Sequence, residues 1–160
     1  MLESTQSQQN QPVKLAESFI SVITPTMHIV VIDRHVESAT QICTLLSSQG
    51  YHATFESSPE QVLEQLANPH QATFMRGTPD LIIYDMQGDE EEDLDFLRNV
   101  RRLGYPYIPV MIVTSLESNH VFEKAVIDLE ADDFVIKPVR SSELLLRVHL
   151  LLRGMATVAA

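Results

Sequence analysis

Apolar residues in this chain fall into short dense runs, separated by longer stretches where they recur every three or four positions. The dense runs are "HIVVI" (28–32), "LIIY" (81–84), "IPVMIV" (108–113) and "DFVI" (133–136). Continuous, mostly β-branched runs of this length read as strands buried on both faces. "YHATF" (51–55) alternates instead, as a strand with one polar face does. Between the runs the period lengthens to that of helices. Ala39, Ile42, Leu45 and Leu46 share one helical face, and Gly50 is placed for a left-handed C-terminal cap. Ser58-Pro59-Glu60-Gln61 opens a second helix: Ser58 as cap, Pro59 at the first helical position, Gln61 able to complete a capping box. Val62, Leu63 and Leu66 form its stripe. Leu94, Leu97 and Val100 mark a third helix that Gly104 ends. "HVFEKAVIDLEA" (120–131) reads as a fourth. A fifth is capped by Ser141, with Glu143 in its first turn and Leu144, Leu145, Val148, Leu151 and Leu152 facing inward.

Strands alternating with helices in this way predict an α/β fold with a parallel sheet, right-handed crossovers and helices on both faces. For five strands at this size the flavodoxin-like, doubly wound order 2-1-3-4-5 is a standard solution. The pattern places one domain at 28–153. Residues 1–27 read as a mostly flexible leader: 1–12 are polar and Gln/Ser-rich, and "LAESFISVIT" (15–24) suits a short docking helix. "GMATVAA" (154–160) reads as a tail or the start of a linker.

Charge and cysteine content narrow the function classes. The formal net charge of −11 works against direct nucleic-acid binding, which needs a basic surface. No apolar run approaches the roughly 20 residues that span a bilayer, so no membrane partner is expected. No secretory signal pattern is present either. The single cysteine, Cys43, rules out an internal disulfide, sits on a predicted core helix and fits a reducing, cytoplasmic setting. The six histidines are scattered without ligand spacing.

The chemistry is concentrated where strands end. In a doubly wound sheet the ligand crevice lies at the carboxyl ends of strands 1 and 3. Asp33 follows the first of these and Asp85 the second. Thr114 follows strand 4, and Lys137-Pro138 follows strand 5. Convergence of these ends gives two carboxylates, a hydroxyl and an ammonium around one pocket. A carboxylate can attack a phosphoryl group and form an acyl phosphate. Carboxylates also hold Mg²⁺. Lysine offers a point charge and threonine a hydrogen bond to phosphoryl oxygens. Proline after Lys137 is a candidate cis peptide that would aim the lysine into the pocket.

"IVVID", "PDLIIYD", "IPVMIVTS" and "DDFVIKP", in this order and spacing, resemble the receiver domain of two-component response regulators over residues 28–153. Asp85 and Thr114 are 29 residues apart, and Thr114 and Lys137 are 23 apart, close to the separations usual in that family. The resemblance implies a phosphorylation-controlled switch rather than an enzyme in its own right. Asp85 would accept a phosphoryl group from a histidine kinase or phosphotransfer protein and lose it by slow hydrolysis. Mg²⁺ would be held by Asp33, Asp85 and the backbone carbonyl of Gln87. Thr114 and Lys137 would bind the phosphoryl oxygens, and Thr114 and Phe134 would form the switch. The output implied is a changed surface or a homodimer through residues 118–153.

The chain departs from the family at several places. The second acid after strand 1, usually a direct metal ligand, is Arg34. The loop after Asp85 carries Asp89 and Asp93 where the family has proline and glycine. The connection before strand 3 is also long. The acidic run 89–93 reads either as a solvated face or as a source of a replacement carboxylate for the cation, with Glu37 a weaker one. Arg98, Arg101 and Arg102 would balance that run or lie on a solvated helix face. Two other readings stay open: a pseudo-receiver that binds protein without phosphorylation, with Arg34 paired to Asp85, and an aspartyl phosphohydrolase. The latter commonly has a second acid two residues after its nucleophile, where this chain has Gln87.

Overall fold

The computed structural model describes residues 26–68, 70, 77–86, 90–103, 107–115, 123, 125, 127 and 131–158. In chain order the elements are β1 (His28–Ile32), α1 (Val36–Ser48), β2 (His52–Glu56), α2 (Pro59–Ala67), β3 (Leu81–Asp85), α3 (Glu90–Leu103), β4 (Val110–Thr114), β5 (Asp133–Ile136) and α4 (Ser141–Val158). The five strands form one parallel sheet in the order β2-β1-β3-β4-β5, the predicted topology.

Strand alternation divides the core into two layers. Val30, Ile32, Ile82, Tyr84, Val110 and Ile112 face α2 and α3, where Val62, Leu94, Leu97 and Val100 pack on them. Ile29, Val31, Leu81, Ile83, Met111, Val113 and Val135 face α1 and α4, against Ala39, Ile42, Leu46, Leu144, Val148 and Leu152. The runs of β1, β3 and β4 are dense because both faces are covered, whereas β5, at one sheet edge, is buried fully only at Val135. β2, at the other edge, is only partly buried along its length, which is why its sequence alternates.

Two aspartates that the apolar pattern did not single out clamp the amino ends of strands. Asp80, just before β3, accepts from His28 N at 2.7 Å and returns its own N–H to His28 O at 2.8 Å. Asp132, just before β5, does the same for Val110, at 2.7 and 3.0 Å. Each satisfies the backbone of a neighbouring strand's first residue. Asp132 is held in turn by Arg101 at 2.9 Å and by the Tyr107 hydroxyl, so Arg101 serves this clamp.

Several local expectations are met and others are corrected. Gly50 has φ +87°, as the left-handed cap requires. Ser58 accepts from Gln61 N at 3.4 Å, but its hydroxyl bonds to Glu60 and not to the Gln61 side chain. The strand expected at 51–55 lies one residue later, at 52–56, because Tyr51 N–H is taken by the end of α1 at Leu46 O. Ser141 is the first helical residue of α4 and not its cap. Leu144 N bonds to Arg140 O at 3.0 Å, which puts the cap position at Arg140. α4 also continues through 154–158, part of the stretch expected as a tail. Residues 123, 125 and 127 are helical, with Ala125 buried. Ala131 is not helical; the remainder of 120–130, Gly104 and residues 1–25 lie outside the described residues. Cys43 is partly buried, and burial pushes its thiol up to about 11, as suits a packing residue.

Candidate functional site

The sheet's hydrogen bonding carries its register past the strand ends and sets the site. Ile32 lies opposite Tyr84, which puts Asp33 and Asp85 side by side one step further on. Asp33 N bonds to Glu56 O at 3.1 Å, Met86 N to Val113 O at 2.9 Å, and Lys137 N to Thr114 O at 2.8 Å. Asp33, Asp85, Thr114 and Lys137 therefore meet at one edge, as the sequence predicts. The Lys137-Pro138 peptide is cis.

Asp85 is buried, and its Oδ2 accepts from Lys137 Nζ at 2.7 Å. The lysine side chain is 39% exposed against 3% for the aspartate. Solvent weakens the attraction from the lysine side, whereas the carboxylate bears the desolvation cost. Burial is accordingly the dominant influence and raises the Asp85 carboxyl above its ordinary value. Lys137 opposes this, and the adjacent Asp33 adds to it.

Asp33 is fully buried. Its Oδ1 accepts from His35 N at 2.7 Å. Its Oδ2 is sealed from solvent with no hydrogen-bond partner among the described residues, a state that costs free energy unless a cation or donor answers it. Asp33, His35 and Asp85 each offer a ligand atom, all within 4.8 Å of one another. This donor set fits a divalent cation. Gln87 lies outside the described residues. Thr114 is buried, and among the described residues its hydroxyl makes only a long 3.3 Å contact to Ser115 O, which a better acceptor could replace. Phe134 is partly buried beneath Arg147, whose guanidinium carbon sits 5.6 Å from the ring centroid. Arg147 also pairs with Asp133 at 2.6 Å and Glu143 at 3.1 Å.

Arg34 does not pair with Asp85. It turns outward to Glu92 at 2.8 Å, with its side chain 48% exposed. The contact that motivated the pseudo-receiver reading is thus made by Lys137. The acidic run is not one solvated face either. Glu92 is engaged by Arg34, and Asp93 is buried, accepting from the Tyr84 hydroxyl. A buried tyrosine needs a partner for its hydroxyl. Asp93 meets that need, and burial together with this bond raises the Tyr84 pKa. Among the described residues neither the acidic run nor Glu37 joins the ligand cluster. Asp89 lies outside the described residues. Arg98 pairs with Asp95 at 2.7 Å on the exposed face of α3.

Sequence reasoning missed His35, and it missed that Asp93 is the acceptor for Tyr84. Both signals were available: His35 follows a strand-end carboxylate by two residues, and a tyrosine in a buried run calls for an acceptor.

The model of the response regulator receiver domain matches residues 29–149. The two-component response regulator ORR3 of Oryza sativa subsp. indica is 30% identical over 123 residues, covering 74% of this chain and 86% of that protein. The transcriptional regulatory protein DltR of Streptococcus agalactiae is 27% identical over 135 residues; the match covers 84% of this chain but 55% of the regulator. The chain thus spans about half the length of that relative. A response regulator receiver protein from Burkholderia phymatum aligns with a TM-score of 0.64 at 26% identity, covering 79% of this chain and 95% of that one. A signal receiver domain from Pseudomonas fluorescens aligns at 0.71, 21% identity, covering 86% and 94%.

The raised Asp85 carboxyl has a consequence for stability. A group protonated more readily in the folded state contributes fully below the unfolded value, about 3.9 for aspartate. That contribution is lost as pH rises through the folded value. At neutral pH ionised Asp85 is therefore a net cost in cation-free protein. Asp85→Asn should raise Tm by a few degrees at pH 7 in chelator, and the gain should shrink toward zero as pH falls below about 3.9. Calorimetric scans across this range check it; a lower Tm for the variant at pH 7 would refute the sign.

Proposed function

The chain belongs to the response regulator receiver domain family of two-component systems, and from that premise we propose that Asp85 is its phosphoacceptor. The donor is a phosphohistidine of a histidine kinase or phosphotransfer protein. An Asp85 carboxylate oxygen attacks phosphorus, the O–P bond forms, the N–P bond breaks, and the imidazole leaves with the electron pair. The observation that carries this reading is the 2.7 Å Lys137–Asp85 contact at an edge shared with Asp33 and Thr114.

Each neighbour has a task in the transfer. Lys137 holds the carboxylate and then follows the new negative charge onto a phosphoryl oxygen. Thr114 exchanges its weak contact with Ser115 for a hydrogen bond to another phosphoryl oxygen. Receiver domains bind Mg²⁺ at an acidic pocket; here Asp33, Asp85 and the carbonyl of Gln87 would hold it, supplying charge neutralisation to the transferring group. Water then hydrolyses the acyl phosphate slowly. Movement of Thr114 is passed to Phe134 and Arg147. This alters the surface within residues 118–153, which becomes the contact of a homodimer. Effects on nucleic acid belong to another domain or partner, because this chain is acidic. The setting is cytoplasmic; among the described residues no helix is long and apolar enough to cross a membrane.

A pseudo-receiver lacks its motivating Arg34–Asp85 pair here. The phosphohydrolase reading lacks the second acid two residues after Asp85.

Three outcomes are expected. Acetyl phosphate with Mg²⁺ should add one phosphate by intact-mass spectrometry, and Asp85→Asn should remove the addition; an unmodified wild type under every divalent cation tried would defeat the proposal. A beryllofluoride mimic should shift the chain toward a dimer in sedimentation; one unchanged mass with and without it would exclude the dimer output. Arg34 contributes no oxygen ligand and carries a permanent positive charge, so Mg²⁺ binding should be weak. Arg34→Asp should tighten it several-fold in calorimetric titration; an unchanged or lower affinity would show that Arg34 does not limit the site.

A further inference from the structure

His35 occupies an unusual position. It is the cap residue of α1, yet its side chain makes no capping hydrogen bond. Its backbone N–H fixes Asp33 Oδ1 at 2.7 Å, and its ring Nδ1 stands 3.4 Å from the same oxygen. The backbone bond uses one face of the Asp33 carboxylate and leaves Oδ2, buried and without a partner among the described residues, for another ligand. The imidazole is 69% exposed and so has room to change rotamer. Arg34, between the two residues, is drawn outward by Glu92 and leaves the space beside Asp33 to His35.

We infer that His35 is a third protein ligand to the cation held by Asp33 and Asp85, giving this site a preference for a borderline divalent transition ion such as Co²⁺ or Zn²⁺ over Mg²⁺. The inference rests on the reading that the two aspartates line a cation site. The geometry is within reach. Two ligand atoms on one ion at about 2.0–2.2 Å lie at most about 4.4 Å apart. The three ligand atoms here are already within 4.8 Å, and a rotamer change of the exposed imidazole can close the remainder. The chemistry gives the direction. Magnesium is a hard ion that keeps oxygen ligands and waters, so an imidazole adds little to its binding. Imidazole nitrogen suits the later first-row ions. Where a second carboxylate would favour a hard ion, this chain has Arg34 turned away and a nitrogen donor one residue further on.

The test uses the full, tag-free chain with Co²⁺ and Mg²⁺ as probes, read by calorimetric titration and by the visible absorption of bound Co²⁺. His35→Ala should weaken Co²⁺ binding at least about tenfold and change the Co²⁺ spectrum, while Mg²⁺ affinity stays within about twofold. His35→Gln, which keeps a polar side chain at the cap, should behave alike and guards against a folding defect. Equal Co²⁺ affinity and an unchanged spectrum in both variants would overturn the role of His35 while leaving the aspartate site standing. Asp33→Asn should abolish the Co²⁺ signal; if it persists, the ion sits elsewhere and the inference fails. If the wild type binds neither ion, the aspartate cation site itself is wrong, and the inference falls with it.

Discussion

The contact between Lys137 Nζ and Asp85 Oδ2 is the constraint around which the rest of the molecule is arranged. A carboxylate at the end of the central strand, shut off from solvent, cannot stay ionised cheaply. It is tolerated because β5 delivers an ammonium to it from two strands away. That delivery depends on parallel register: Asp85 beside Val113, and Thr114 beside Ile136. The Lys137 N–H is anchored on Thr114 O. A slip of one residue in either pairing would turn the side chains to the opposite face and separate the charges. The two aspartate clamps at the amino ends of β1 and β4 oppose such a slip from the far side of the sheet. Residues with no part in the chemistry thus set the geometry on which the chemistry rests.

Charge at the site is then a matter of which neighbours face inward. Arg34 stands where a second acid would stand in the family, yet it reaches Glu92 on α3, and the pocket keeps its negative character. Lys137 alone answers Asp85 from the cationic side within hydrogen-bond distance in the described residues. On the α2/α3 face, Tyr84 carries its hydroxyl to Asp93. The residue just before Asp85 is thereby tied to the first turns of α3. The acidic segment after Asp85 serves as structure on both counts: Glu92 restrains the arginine and Asp93 satisfies the tyrosine.

The fold was largely legible in the sequence because its three inner strands, β1, β3 and β4, are buried on both faces. Val30, Ile32, Ile82 and Ile112 face one helical layer and Ile29, Val31, Ile83 and Val113 the other, so the runs stand out without any alternation. Asp33, Asp85, Thr114 and Lys137 were legible for a topological reason, since parallel strands bring their carboxyl ends together. Side-chain direction was not. Arg34 reads as a pocket residue by position, and only the competing carboxylate of Glu92, 58 residues away, turns it out. Arg101 reads as a balance for nearby acids, and a distant Asp132 claims it. Ser141 reads as a cap, and the backbone begins its helix one residue early. Long-range pairing of this kind leaves no periodic trace.

The central claim is that the acyl phosphate forms on Asp85 and on no other acid. Acyl phosphates are reduced by borohydride to the alcohol, which converts a phosphorylated aspartate to homoserine. Reducing the phosphorylated full chain and sequencing its peptides by mass spectrometry locates the modified residue directly. Homoserine at position 85, with aspartate retained at 33 and 93, is the result this account predicts. Homoserine at 33, or at any acid outside the pocket, would contradict it.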